Sequence, residues 1–312
     1  MVRAERAIAA ALALGLAGAA LAAEPRLEPV KWRQIELEAS KMLLSASTSL
    51  HVDRLATRLA IPLLRTPPEG TPSAVPGPEI VVLTIETSMP FGRHEVTKVL
   101  LDPSTGAVMQ GSKVVSGGKP YEKVFRYTTE GYYFWRAAPS SADEVRAGPD
   151  GWSKRRGRLV RSVVPLPEGA AVTDSYALIY LVSAAGLNRR GSVFTTFILV
   201  DDQPVELRFE AGGLVQQDAD YQERGLDGVR RRRGAALLRL VTVQARALGG
   251  QMAAGDVDLG FLGMRGGLRI LVDARTGLPV QVAGRTDSVG DLTVNLQAVE
   301  WAGQPATSSP RR

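Results

Sequence analysis

Apolar residues along this chain recur in short stretches that alternate with polar ones. Leu292, Val294, Leu296 and Ala298 fall on one side of their segment, and Thr293, Asn295 and Gln297 fall on the other. This is the period of two of a strand with one wet face. Segments Ile80–Glu86, Glu95–Leu101, Tyr121–Tyr127, Tyr132–Trp135 and Val193–Val200 are similarly short, rich in β-branched and aromatic residues, and separated by Gly, Pro, Asp and Asn turns. Strands so frequent, with so little helix between them, favour antiparallel connections over βαβ crossovers. The pattern predicts a mainly β protein built on a large curved antiparallel sheet, in the form of a half-barrel, barrel or sandwich.

One helix interrupts it, near residues 174–185. Thr173 or Asp174 supplies the N-cap, the run Tyr176–Ala185 is almost wholly apolar, and Gly186 stands where a left-handed stop is needed. A helix that is apolar all round is a buried one. The alternative for Leu178–Val182 is a short buried strand. Pro and Gly concentrate in the stretch 63–78, which predicts a long loop without regular pairing.

The first residues follow a different grammar. Arg3 and Arg6 precede an apolar run from Ile8 to Leu21, and Ala20-Leu21-Ala22 supplies small residues before Glu24-Pro25. That is the order of a secretory signal peptide, with cleavage expected after Ala22. The run is shorter than the ~20 residues of a spanning helix, and no later stretch is as long and as free of charge. The expected organisation is a signal peptide over 1–22, one β-rich domain over 23–302 and a disordered tail over 303–312, with the product exported to the periplasm and lacking a transmembrane span.

Composition narrows the chemistry. The 312 residues contain no Cys and two His, so thiolate catalysis, Cys-based metal sites and lipid attachment at a cysteine are all excluded. The formal charge of +6 becomes about +5 once Arg3, Glu5 and Arg6 are removed. Arginine dominates two runs, Lys154-Arg155-Arg156 with Arg158 and Arg161, and Arg230, Arg231, Arg232 and Arg233. Guanidinium groups suit phosphate or carboxylate on envelope components, and the alternative is a solvated loop. Export, and the lack of aromatic residues among these arginines, speak against nucleic acid.

Enzyme motifs mostly fail. His94-Glu95 lacks a second His four residues on, and Gly117-Gly118-Lys119 continues into Pro120 where a phosphate loop needs Ser or Thr. Ser116 and Lys119 have S-x-x-K spacing, yet they sit in a glycine-rich turn rather than at a helix start. The acidic pairs Asp201-Asp202, Asp218 with Asp220, and Asp256 with Asp258 lack the loop of a calcium hand and read as surface turns. No catalytic residue, cofactor or metal is expected. The aromatic cluster at Tyr127, Tyr132, Tyr133, Phe134 and Trp135 reads as core or as the lining of a ligand concavity.

An internal echo also stands out. Asp102-Pro103-Ser104-Thr105-Gly106 followed by Gln110 matches Asp273-Ala274-Arg275-Thr276-Gly277 followed by Gln281, each after an apolar strand. D-x-x-T-G is a hairpin signature, because Asp accepts backbone N–H bonds and Gly takes positive φ.

The order of the helix, Val193–Val200, the turn Asp201–Pro204, Arg269–Val282 and Val289-Gly290-Asp291-Leu292 resembles an uncharacterised bacterial family of exported β-sheet proteins, a domain of unknown function ending in a D-x-x-T-G-L-P hairpin block. More loosely, it resembles the periplasmic half-barrel carriers of lipoproteins and lipids. Those resemblances imply a curled antiparallel sheet with an amphiphile-sized concavity, and they bring no catalytic residues. The resulting expectation is a non-catalytic binding or carrier protein for a lipid or other anionic envelope amphiphile. Tyr127, Tyr133 and Trp135 would line the site, and Arg230–Arg233 would meet the headgroup. The alternatives are an envelope scaffold that binds another protein and, third, a hydrolase using acidic residues.

Overall fold

The computed structural model describes residues 26–41, 44–73, 77–225, 228–249, 255, 257–259, 261, 263–287 and 289–303. The segment 1–22 expected to be a signal peptide, Asp256, and all but the first residue of the tail expected over 303–312 lie outside them.

Among the described residues, fourteen strands form one sheet. The first eight are β1 (Trp32–Lys41), β2 (Leu44–Ala56), β3 (Glu79–Ser88), β4 (His94–Leu101), β5 (Val108–Ser116), β6 (Tyr121–Thr128), β7 (Gly131–Ala138) and β8 (Lys154–Arg161). The other six are β9 (Val193–Val200), β10 (Gln203–Gly225), β11 (Gly228–Ala247), β12 (Met264–Asp273), β13 (Pro279–Thr286) and β14 (Gly290–Trp301). Each half is an antiparallel meander, and the halves join where β1 pairs antiparallel with β14. The outermost strands are β8 and β9, linked by the segment that carries the buried helix.

That helix is where the apolar pattern placed it. A 3₁₀ turn (Ser175–Ala177) leads into α3 (Leu178–Ala184), after α1 (Thr57–Ala60) and α2 (Ala142–Ala147). The Asp174 side chain caps the turn by accepting from the Tyr176 N–H at 3.0 Å. Leu178, Ile179, Tyr180, Leu181, Val182 and Ala184 are all buried, in one core with residues of both meanders. The sheet therefore wraps its inner face around α3. Both D-x-x-T-G turns lean on it: a Cβ on Gly106 would collide with Leu181, and one on Gly277 would lie 3.1 Å from the Ser183 carbonyl oxygen. The two Asp side chains act alike. Asp102 accepts from the Ser104 N–H and Asp273 from the Arg275 and Thr276 N–H groups.

Three strands, β3, β4 and β5, carry apolar residues on their outer face as well, for a local reason. The outer sides of Ile80, Val82, Leu100 and Met109 pack with Ala60 in a second small core under α1 and the 3₁₀ turn Ile61–Leu63. Between residues 64 and 78 the described residues make only an isolated bridge, Pro72 to Thr128, as the Pro/Gly content predicts. No helix of the described residues is long and apolar enough to cross a membrane, a statement that leaves strand-based crossing aside.

The arginine runs differ from the loop alternative, because both are strands. Residues 154–161 form β8, whose backbone pairs with β7, and 230–233 lie on β11. Asp218 and Asp220 likewise sit on β10 rather than in a turn. The β10–β11 hairpin outgrows the sheet beyond a bulge between Ala211 and Leu214. Its tip folds back to pair in parallel with β14, Gln222 to Ala298 through Arg224 to Glu300, and Arg224 donates to Glu36 on β1.

Candidate functional site

Residues directly opposite one another on antiparallel strands point to the same face. Across β4–β8 one such row is Val99, Gly111, Phe125, Phe134 and Arg158. Val99 belongs to the core around α3, and Phe125 and Phe134 pack against that core with ring centroids 5.3 Å apart, which assigns this row to the inner face. Two residues along, and so on the same face, lies the row Thr97, Lys113, Lys123, Arg136 and Arg156. Four neighbouring strands thus each turn a cation inward at matching positions. Lys154 and Arg158 share the parity of Arg156 on β8.

Acids meet only one end of the row. Lys113 forms an ion pair with Glu95, which also takes Arg93 at 2.6 Å. Among the described residues, Lys123, Arg136, Arg156 and Arg158 have no ion-pair partner. Instead, Lys123 Nζ lies 5.4 Å, and the Arg136 guanidinium 4.9 Å, from the centre of the Tyr121 ring. Burial pushes the Lys123 pKa down, the charges of Arg136, Lys113 and Arg156 push the same way, and Asp201 in the β9–β10 turn opposes them. Asp201 is also the one non-glycine among the described residues with positive φ, at 54°.

Behind Lys113 the network runs inward. Lys113 Nζ donates to Tyr176 Oη at 2.9 Å, and Tyr127 Oη donates to Asp174 Oδ2 at 3.0 Å. Burial works against the charge of Glu95, but hydrogen bonds and charge from Lys113 and Arg93 hold its pKa below the usual carboxylate value. Asp174 is the reverse case: burial raises its pKa despite the bonds from Tyr176 and Tyr127. A cavity of about 240 Å³ opens beside this network, lined by Thr48, Thr87, Arg93, Glu95, Lys113, Tyr176 and Phe261 among others. A larger groove of about 430 Å³ lies on the outer face between β1–β3 and the hairpin tip. Its lining includes Glu36, Glu38, Glu86 and His94, with Arg224 spent on Glu36.

The residues singled out from sequence fall in three separate places. Tyr127 is buried inside and committed to Asp174. Tyr133 and Trp135, with ring centroids 4.5 Å apart, have the opposite strand parity from Tyr132 and Phe134 and lie on the outer face. Arg230–Arg233 stand on the hairpin tip. There Arg231 and Arg233 pair with Asp220, Arg232 pairs with Glu223 and Asp273, and Arg230 lies opposite Glu223 in the ladder. Asp201 and Asp202 form the β9–β10 turn, and Asp258 makes an isolated bridge to Arg265. Among the described residues no cluster of His, Asp or Glu is arranged to hold a metal ion.

Sequence reasoning missed Lys113, Lys123, Arg136, Glu95 and Asp174. A signal existed for two of them. Lys123 shares strand parity with Tyr121 and Phe125, and Arg136 shares it with Tyr132 and Phe134, so each sits on the apolar side of its own strand.

No family model matches the chain, and no curated protein matches it. Among solved structures, the chain is similar to the crystal structure of a beta-barrel-like protein of Domain of Unknown Function DUF1849 from Brucella abortus, with 11% sequence identity and a TM-score of 0.41, over 88% of this chain and 99% of that chain.

Proposed function

We propose that this protein is an exported, non-catalytic binding or carrier module for an anionic amphiphile, and that the ligand lies on the inner face of β5–β8. The observation that carries this reading is the pairing of two surfaces there. Phe125 and Phe134 are only half-buried and offer an apolar, aromatic floor, and the adjoining row offers cations without acid partners. An acyl chain fits the first and a charged headgroup the second. The headgroup contacts thus move from Arg230–Arg233, where Arg231, Arg232 and Arg233 already hold acid partners, to Lys123, Arg136 and Arg156.

An envelope scaffold is the second reading. Leu214, Val229 and Leu237 are 46%, 66% and 56% exposed on the long β10–β11 hairpin, as a surface awaiting a protein partner would be.

Native mass spectrometry of the protein purified gently from its own cells, followed by organic extraction, separates the two. A discrete excess mass that passes into the lipid extract supports the carrier. A bare polypeptide mass, with extract no richer than that of a control protein, removes it.

A further inference from the structure

Like charges directly opposite one another on adjacent strands destabilise a sheet, and natural sheets place opposite or neutral partners there. This row does otherwise three times in succession, Lys113 against Lys123, Lys123 against Arg136 and Arg136 against Arg156, and Glu95 offsets only the Lys113 end, on a face where burial already opposes charge at Lys123. Neutral side chains at these positions would fold more easily, so the repulsion marks a surface shaped for something other than folding.

Strand spacing sets what would relieve it. Neighbouring strands lie ≈ 4.7–4.9 Å apart, so three consecutive cations span roughly 10 Å. A single carboxylate engages one guanidinium fork and leaves the outer cations unmatched. A terminal phosphate carries ≈ −1.5 to −2 charge at neutral pH and three acceptor oxygens, enough for two adjacent strands at once, and a diphosphate reaches the third. Lys123 and Arg136 both lie against the Tyr121 ring, which brings their two charges to one place.

We infer that the Lys123–Arg136–Arg156 row is a binding site for a phosphate monoester or diphosphate group, the headgroup of the amphiphile proposed above. The inference rests on that proposal only for the source of the phosphate, which is either a lipid headgroup or a free phosphate compound.

The test uses the mature full-length chain and three probes: dodecyl phosphate, dodecyl maltoside and inorganic phosphate. Binding is measured by calorimetry in phosphate-free buffer, for the wild type and for Lys123→Gln, Arg136→Gln and Lys123→Arg. The expected result is that the wild type binds dodecyl phosphate, that each Gln variant weakens it by roughly tenfold or more, and that Lys123→Arg retains it. If inorganic phosphate binds with the same dependence on the row and neither chain-bearing probe binds better, the phosphate site stands, its source is a free phosphate, and the amphiphile reading fails. If dodecyl maltoside binds as well as dodecyl phosphate and the Gln variants change neither, the amphiphile reading stands and the phosphate site is overturned. Absence of any phosphate binding by the wild type overturns it as well.

Discussion

The carboxylate of Asp174 fills the space that a side chain at position 111 would occupy: a Cβ on Gly111 would lie 2.6 Å from Asp174 Oδ2. Asp174 is thereby pressed against β5 from inside, where it receives Tyr127 Oη and the Tyr176 N–H and fixes the start of the buried helix. Gly111→Ala must displace that carboxylate and disturb both bonds, at a cost of about 1–3 kcal/mol. Chemical denaturation should show a lower midpoint for Gly111→Ala. Gly118→Ala, in the β5–β6 turn, serves as control, since a Cβ there meets nothing within 4 Å and the cost is backbone strain alone. A core unaffected by Gly111→Ala would mean that Asp174 is free to move.

Glu95 and Asp174 should give opposite signs on acidification. The Glu95 pKa is lowered in the folded protein, so its stabilising contribution is present above its unfolded value near 4.5 and is lost as pH falls through the lower folded value. The Asp174 pKa is raised, so its ionisation costs stability, and protonation between its folded value and 3.8 restores some. Melting temperature measured from pH 6 to pH 2 should therefore fall less steeply in Glu95→Gln than in the wild type. In Asp174→Asn the fall should be steeper. Parallel curves for all three proteins would contradict the assignment of either group.

The sheet was legible because its evidence is local. The six segments read as strands from alternation all lie within β3, β4, β6, β7, β9 and β14, and the run at 174–185 is the buried helix. The arginine runs were ambiguous because a strand of charged residues lacks the apolar half of the alternation. Residues 154–161 form a strand only through their ladder with β7. The candidate site was hidden for a further reason. Lys113, Lys123, Arg136 and Arg156 lie far apart in sequence and become one row only when the register of three hairpins is known, and a slip of one residue would scatter them to opposite faces. Tyr133 and Trp135 share a face by their spacing, but only the pairing of Tyr127 with Tyr132 reveals that Tyr127 lies on the opposite one.

The hairpin tip should be the first part of the sheet to open. Its pairing with β14 is brief, and the Arg224–Glu36 ion pair that secures it is half-exposed, worth about 0.2–1 kcal/mol. Glu36→Gln should speed hydrogen exchange at Gln222–Arg224 while leaving the α3 segment protected. The global melting temperature should shift by no more than a degree or two. Equal deprotection of α3 would show that the tip and core unfold as one unit.

Relief of repulsion gives the last prediction, and it needs no ligand. If Lys123 were held in place for folding, its loss would weaken the protein in every buffer. If the row is an anion site, the unliganded protein carries the cost of Lys123 facing Arg136, about 0.2–1 kcal/mol for directly opposed like charges. Lys123→Gln should then match or exceed the wild-type melting temperature in phosphate-free, low-salt buffer. Adding salt should raise the wild type more than the variant, because screening removes a repulsion that the variant no longer has. A Lys123→Gln protein that melts several degrees lower under these conditions would make the lysine a structural residue and leave the row without its strongest argument.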